Sequence, residues 1–149
     1  MALKINLKPH EKLLLGSAVI TNGNAKCSLF VENNVTILRE KDILREKDAT
    51  SPCKRIYFVV QMMYVDQQNL VGYHELYWKL VRDVVTAAPS VLPYVDKISD
   101  FIVANQHYQA LKASKKLINY EQEVLLRNER HPDERIQKSS DGHPDRSRA

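Results

Sequence analysis

The stretch TSPCKRIYFVVQMMYVD, residues 50–66, is where the chain changes its period. Ser51 followed by Pro52 reads as a helix start, with serine as N-cap and proline, which has no N–H to lose, at the first helical position. Ile56, Val59, Val60 and Met63 then fall at i, i+3, i+4 and i+7, one stripe of a helix. Before this stretch the apolar residues alternate by two or are cut by turn residues. After it they recur every three or four. One α+β domain is therefore expected, with short antiparallel strands first and about four helices after.

Upstream, LKINL (3–7) places Leu3, Ile5 and Leu7 on one face and Lys4, Asn6 and Lys8 on the other, until Pro9 ends it. KLLLGSAVI (12–20) reads as a second strand region with Gly16 as a bend or bulge. NGN (22–24) is expected to supply the positive-φ residues of a tight turn. KCSLFVE (26–32) and VTILR (35–39) flank Asn33-Asn34, a two-residue hairpin signal. Four or five short strands follow. Next comes ILREKDILREKD (37–48), one hexapeptide written twice. A single helix through both copies would set Lys41 against Arg45 and Asp42 against Glu46, like charges four residues apart. The first copy is therefore expected to close the last strand and the second to form a loop or short turn. No third copy follows, so no solenoid is implied.

Downstream, Leu70, Tyr73, Tyr77, Leu80, Val81 and Val84 form a second helical stripe, ended at AAPS (87–90). Val95, Ile98 and Ile102 give a third helix its face, with Pro93 near its start. Residues 105–126 read as a fourth, with Tyr108, Leu111, Leu117, Ile118 and Leu125 apolar and Lys112, Lys115 and Lys116 outward. From about 128 the chain holds one aliphatic residue, Ile136, and too little apolar surface to offset its ordering entropy. The expected organisation is a domain over 1–127, β-rich in 1–48 and helical in 51–127, followed by a disordered polar tail over 128–149.

Several function classes lack their signatures. The longest apolar run, Ile56 to Val60, is far short of the ~20 residues of a membrane span, and MALKINLKPHEK has no signal-peptide core. Cys27 and Cys53 match no metal or redox spacing. A cytoplasmic protein with free thiols and no membrane partner is expected. There is no glycine-rich phosphate loop, no His-x-x-x-His and no nucleophile elbow, so neither an enzyme nor a cofactor or metal site is expected. His-Pro-Asp occurs at 131 and 143, the working tripeptide of J-domain co-chaperones, but in the tail and not between helices. Tyr57, Phe58, Tyr64, Tyr73, Tyr77 and Trp78 recur at core-like helical spacings and read as packing. Net charge is +4, and all of that excess lies in residues 1–58, which hold ten Lys and Arg against six Asp and Glu. That permits a polyanion partner.

Taken together, MALKINLKPHEKLLLGSAVITNG, ILREKDI, TSPCKRIYFVVQMMYVD and the later YQALKASKKLINYEQEVL resemble the bacterial flagellum biosynthesis repressor family, FlbT, over roughly residues 1–127. That resemblance implies post-transcriptional control through the 5′ untranslated leader of flagellin mRNA, by promoting decay or limiting translation, with no cofactor. It brings no residue-level RNA motif. Physical reasoning then puts phosphate contacts on Lys4, Lys8, Lys12, Lys26 and Arg39 around the strands, with Arg45, Lys54 and Arg55 beside them, and specificity on base edges. The rival expectation is an adaptor whose helices hold flagellin or another flagellar regulator. Strand-rich regulators of this size often pair by edge strands, which favours a homodimer.

Overall fold

The alternating stretch Leu3–Leu7 forms strand β1 in the computed structural model, which describes residues 2–130. Ile5 and Leu7 are buried and Lys4 and Asn6 exposed, as the alternation requires, whereas Leu3 is exposed at the strand's start. KLLLGSAVI is not one bent strand but two, β2 (Lys12–Leu15) and β3 (Ala18–Thr21), paired antiparallel with Leu15 opposite Ala18. Gly16 occupies the first position of the two-residue turn between them at φ 63°, the left-handed region. A Cβ there would also stand 3.2 Å from Val35 Cγ2.

Two turn readings need correction. Neither Asn22, Gly23 nor Asn24 has a positive φ; that conformation falls instead on His10, at 64°. Asn22 acts through its side chain, donating to the carbonyls of Lys8 (2.8 Å) and Ala25 (2.9 Å) and accepting from Gly23 N (2.8 Å). This Asx-type bonding organises the loop without left-handed backbone. Nor do strands β4 (Cys27–Val31) and β5 (Ile37–Arg39) form a hairpin about Asn33-Asn34. β4 pairs with β1, and β5 pairs with β2, so the strand orders are β1-β4 and β3-β2-β5. The segment between them crosses from one sheet to the other.

The crossing is explained by where the side chains go. Ile5, Leu7 and Leu13 form a small core closed by Ile20, Cys27, Leu29, Val31 and Ile37, drawn from both sheets. The next residues along β2 and β5, Leu14 and Leu38, point the other way and join the helical core. The three-stranded sheet is therefore a middle layer, apolar on both faces. A β4–β5 hairpin would have lost that arrangement.

Helix α1 (Pro52–Val65) begins as read, with Ser51 Oγ accepting from Lys54 N at 3.2 Å. Glu121, from helix α4 (His107–Arg130), completes this cap, accepting from Ser51 Oγ at 2.6 Å and from Cys53 N at 3.3 Å. Cys53 is buried there, and burial, then the Glu121 carboxylate, pushes its thiol up to about 12. It is inert. Helices α2 (Leu70–Ala87) and α3 (Leu92–Val103) turn the expected faces inward, and α1 packs on α2 and α4 while α3 packs on α4. Buried Tyr77 satisfies its hydroxyl on Ser99 Oγ at 2.8 Å. In α4, Leu111 and Leu117 are buried as expected, but Tyr108 and Leu125 are exposed. The backbone of α4 continues to Arg130, past the expected start of the tail; the remainder of that tail, with both His-Pro-Asp tripeptides, lies outside the described residues. Among the described residues, no helix is long and apolar enough to cross a membrane.

The doubled hexapeptide folds as two copies of one short device. Arg39 and Arg45 are both extended, and each following Glu-Lys-Asp (Glu40–Asp42, Glu46–Asp48) makes one 3₁₀ turn. The first copy closes β5 and the second leads to α1, the division expected. A polar stripe of α1, Tyr57, Gln61 and Tyr64, holds this junction by its backbone, and so gives the two tyrosines a bonding role that their reading as packing does not include. Tyr57 OH donates to Asp42 O at 2.7 Å. Gln61 accepts from Leu44 N at 2.8 Å and donates to Leu44 O at 2.9 Å. Tyr64 OH accepts from Ile37 N at 3.3 Å and donates to Ile37 O at 3.1 Å.

One buried group is left without a partner. His107, at the start of α4, is 5% exposed, and its Nε2 makes no hydrogen bond among the described residues. Burial first, and then the neighbouring His74, hold its imidazole below the usual value of 6.5. The unfolded chain therefore takes up a proton that the folded chain resists, and stability falls as pH drops below about 6.5 toward the lowered folded value. Thermal unfolding at pH 5.5 and 7.5 is expected to show a larger acid loss for the wild type than for His107→Leu; equal losses would remove His107 as the cause.

A basic groove between sheet and helix

β1 sets Lys4 on the outer face of the two-stranded sheet, β5 ends at Arg39, and the first 3₁₀ turn presents Lys41. On α4, Tyr108, Lys112, Lys115 and Lys116 lie at i, i+4, i+7 and i+8, one helical stripe. These elements enclose a groove of about 840 Å³ whose walls carry six cations, Lys4, Arg39, Lys41, Lys112, Lys115 and Lys116. Ile37, Leu38, Tyr57, Tyr64 and Leu111 supply its less polar parts, and among the described residues Asp42 is the one acidic side chain lining it.

Two of the cations are committed to the fold. Arg39 donates to Asn6 O at 2.6 Å and to Glu11 Oε2 at 3.0 Å, tying β5 to β1. Glu11 is held below the usual carboxylate range by the backbone N–H of Lys8 and then by Arg39. Lys115 reaches Asp42 Oδ1 at 3.0 Å and the Lys41 carbonyl at 3.4 Å, joining α4 to the junction. Lys4, Lys41, Lys112 and Lys116 have no acidic partner within 4.0 Å among the described residues. Like charges converging on one concavity whose lining acid, Asp42, is already paired with Lys115 raise the local potential and favour a polyanion. Tyr57 and Tyr64 stay neutral: burial, and then Asp42, raises the Tyr57 phenol, and burial raises that of Tyr64.

The basic residues proposed from sequence do not converge on one place. Lys4 and Arg39 line the groove. Lys8 and Lys26 border a second recess with Arg39, of about 450 Å³. Lys12 donates from Nζ to Thr21 Oγ1 at 3.1 Å on the middle sheet. Arg45 pairs with Asp48 at 3.0 Å within its own turn. Lys54 and Arg55 lie in the first turns of α1 and line neither recess. Lys41 and the α4 residues were not proposed from sequence. Lys112, Lys115 and Lys116 were legible as outward and Tyr108 was read on the apolar face, but nothing local to them says that Lys4 and Lys41 lie opposite. Cys27 and Cys53 are both free, and among the described residues no three His, Cys, Asp or Glu side chains are grouped to hold a metal ion.

The chain's similarities agree with one another. Residues 3–125 match the profile of the family described as "Flagellar protein FlbT". A "Probable flagellum biosynthesis repressor protein FlbT 1" of Bradyrhizobium diazoefficiens is 44% identical over 125 residues, covering 83% of this chain and 85% of the relative. A "Probable flagellum biosynthesis repressor protein FlbT" of Caulobacter sp. strain K31 is 43% identical over 127 residues, 84% of this chain and 97% of its own length. The "Flagellum biosynthesis repressor protein FlbT" of Caulobacter vibrioides is 39% identical over 127 residues, 84% of this chain and 90% of its own. No solved structure matches the chain.

Proposed function

From the premise that this chain belongs to the FlbT family of flagellar proteins, we propose that it is a repressor of flagellum biogenesis that binds the 5′ untranslated leader of flagellin mRNA and promotes its degradation or limits its translation. The repressor part rests on the names of its relatives. The RNA part rests on one observation, the groove in which Lys4, Lys41, Lys112 and Lys116 converge without acidic partners. Phosphates neutralised there would release counterions, so affinity falls with salt. No bond-breaking is asked of the protein: a leader held in the groove is withheld from ribosomes, or left with its flanking segments open to cellular nucleases. On this reading the protein acts in the cytoplasm, where message and ribosome are.

The second reading, an adaptor for flagellin or another flagellar regulator with indirect effects on RNA, draws on α2, on which the large apolar residues Val71, Leu76 and Trp78 are exposed. Purified protein mixed with flagellin leader RNA, alongside a scrambled leader, separates the two. Selective and salt-dependent binding by the protein alone is the expected result. Binding that appears only after a protein partner is added would overturn direct recognition in favour of the adaptor.

A further inference from the structure

We propose that the groove takes RNA as an unpaired strand, with Tyr108 and Phe30 as base-stacking rings. This rests on the RNA reading above and specifies the state of the RNA. Two lysines of the groove, Lys4 and Lys112, each lie over an aromatic ring, and Tyr108 itself lines the groove. Lys112 Nζ lies 5.6 Å from the Tyr108 ring centroid, and Lys4 Nζ lies 5.9 Å from that of Phe30. Both rings are accessible, Tyr108 at 42% and Phe30 at 60%. Phe30 sits directly across from Lys4 in the β1–β4 register, on the outer face of the sheet.

Neither ring is needed by a core, and each is held in place. Tyr108 leans on Tyr64, with centroids 5.5 Å apart, and Tyr64 is itself fixed by both of its bonds to Ile37. Phe30 is carried by a strand paired along its length. The ammonium over each ring occupies the electron-rich face that a nucleobase would take. A base that stacks there displaces the lysine, and the displaced ammonium is within reach of that nucleotide's phosphate. Lys116 follows Lys112 by one helical turn, about 6 Å, a step on the scale of one nucleotide of extended backbone. The stacking requirement decides the substrate class. In a duplex the base faces are stacked on one another, and a protein ring reaches them only in an unpaired strand.

The test uses the full chain and a fluorescently labelled oligonucleotide from an unpaired part of the flagellin leader, read by anisotropy alone and annealed to its complement. The single strand is expected to bind at least ~10-fold tighter than the duplex. Tyr108→Ala and Phe30→Ala are each expected to weaken single-strand binding by roughly five- to a hundred-fold without altering the salt slope. Tyr108→Phe and Phe30→Tyr, which keep a ring, are expected to restore it. Equal affinity for single strand and duplex, or alanine variants that bind like wild type, would overturn this inference and leave the RNA reading standing. A wild type that binds no leader RNA in either form would overturn both.

Discussion

Replacing Lys41, Lys112 and Lys116 together by alanine is expected to weaken binding of the flagellin leader on the order of a hundred-fold, taking three exposed ionic contacts at roughly 1 kcal/mol each. The three line the groove from two elements and have no acidic partner within 4.0 Å among the described residues, so their removal breaks no ion pair of the fold. The diagnostic readout is the salt dependence. Each phosphate neutralised on a single strand contributes about 0.7 to the slope of log K against log[salt], so three lost contacts flatten it by about 2. Lys54→Ala with Arg55→Ala removes two cations from α1 outside the groove and is expected to leave that slope nearly unchanged. A triple variant with the wild-type slope, or a control with the same loss, would dismiss the groove as the phosphate-binding surface. Lys115 is excluded from the set because it holds Asp42 and the Lys41 carbonyl, so its loss would mix stability with binding.

The largest stability effect is expected at Gln61. This side chain is 4% exposed and spends both ends of its amide on one residue, accepting from Leu44 N and donating to Leu44 O. Gln61→Leu keeps the volume and removes both bonds, leaving a backbone donor and acceptor against an apolar wall. At ~1–3 kcal/mol for each of the two stranded groups, the loss is about 2–6 kcal/mol, a fall of roughly 5–20 °C in the unfolding midpoint. Gln61→Glu separates hydrogen bonding from shape. A carboxylate can accept from Leu44 N, but it turns its other oxygen toward the Leu44 carbonyl, so the folded variant must hold a proton that the unfolded one releases. Its carboxyl is therefore raised on folding. Its deficit relative to wild type is full above that raised value and shrinks as pH falls toward the unfolded one. Thermal unfolding of the three proteins across pH 4–8 checks both statements. A Gln61→Leu variant as stable as wild type would show that the junction does not depend on this clamp.

The helical half was legible because one period dominated it. Ile56, Val59, Val60 and Met63, and later Val95, Ile98 and Ile102, are all buried where their spacing put them. Ser51 and Pro52 marked the helix start through chemistry confined to four residues. Strand existence was equally local, and among the described residues five strands form where alternation predicted four or five. Strand pairing was not local. Asn33-Asn34 had the composition of a hairpin, but β5 gains more by placing Leu38 in the helical core beside Leu14 than by returning along β4. The α1 stripe of Tyr57, Gln61 and Tyr64 shows a further limit. Its periodicity was visible, and its partners were backbone groups of residues 37–44, which no side-chain pattern reveals. For the groove the difficulty is distance, since Lys4, Lys41 and Lys112 become neighbours only through the tertiary fold.

The doubled hexapeptide offers a control that the molecule runs on itself. In the first copy, Glu40 accepts from Lys12 N at 2.7 Å, and Asp42 receives Tyr57 on its carbonyl and Lys115 on its carboxylate. In the second, among the described residues, the corresponding Glu46 and Asp48 make only bonds within residues 45–50. Identical Glu-Lys-Asp triplets thus encode an anchor in one place and a spacer in the other. The information that tells them apart is written at Lys12, Tyr57 and Lys115, outside the repeat altogether.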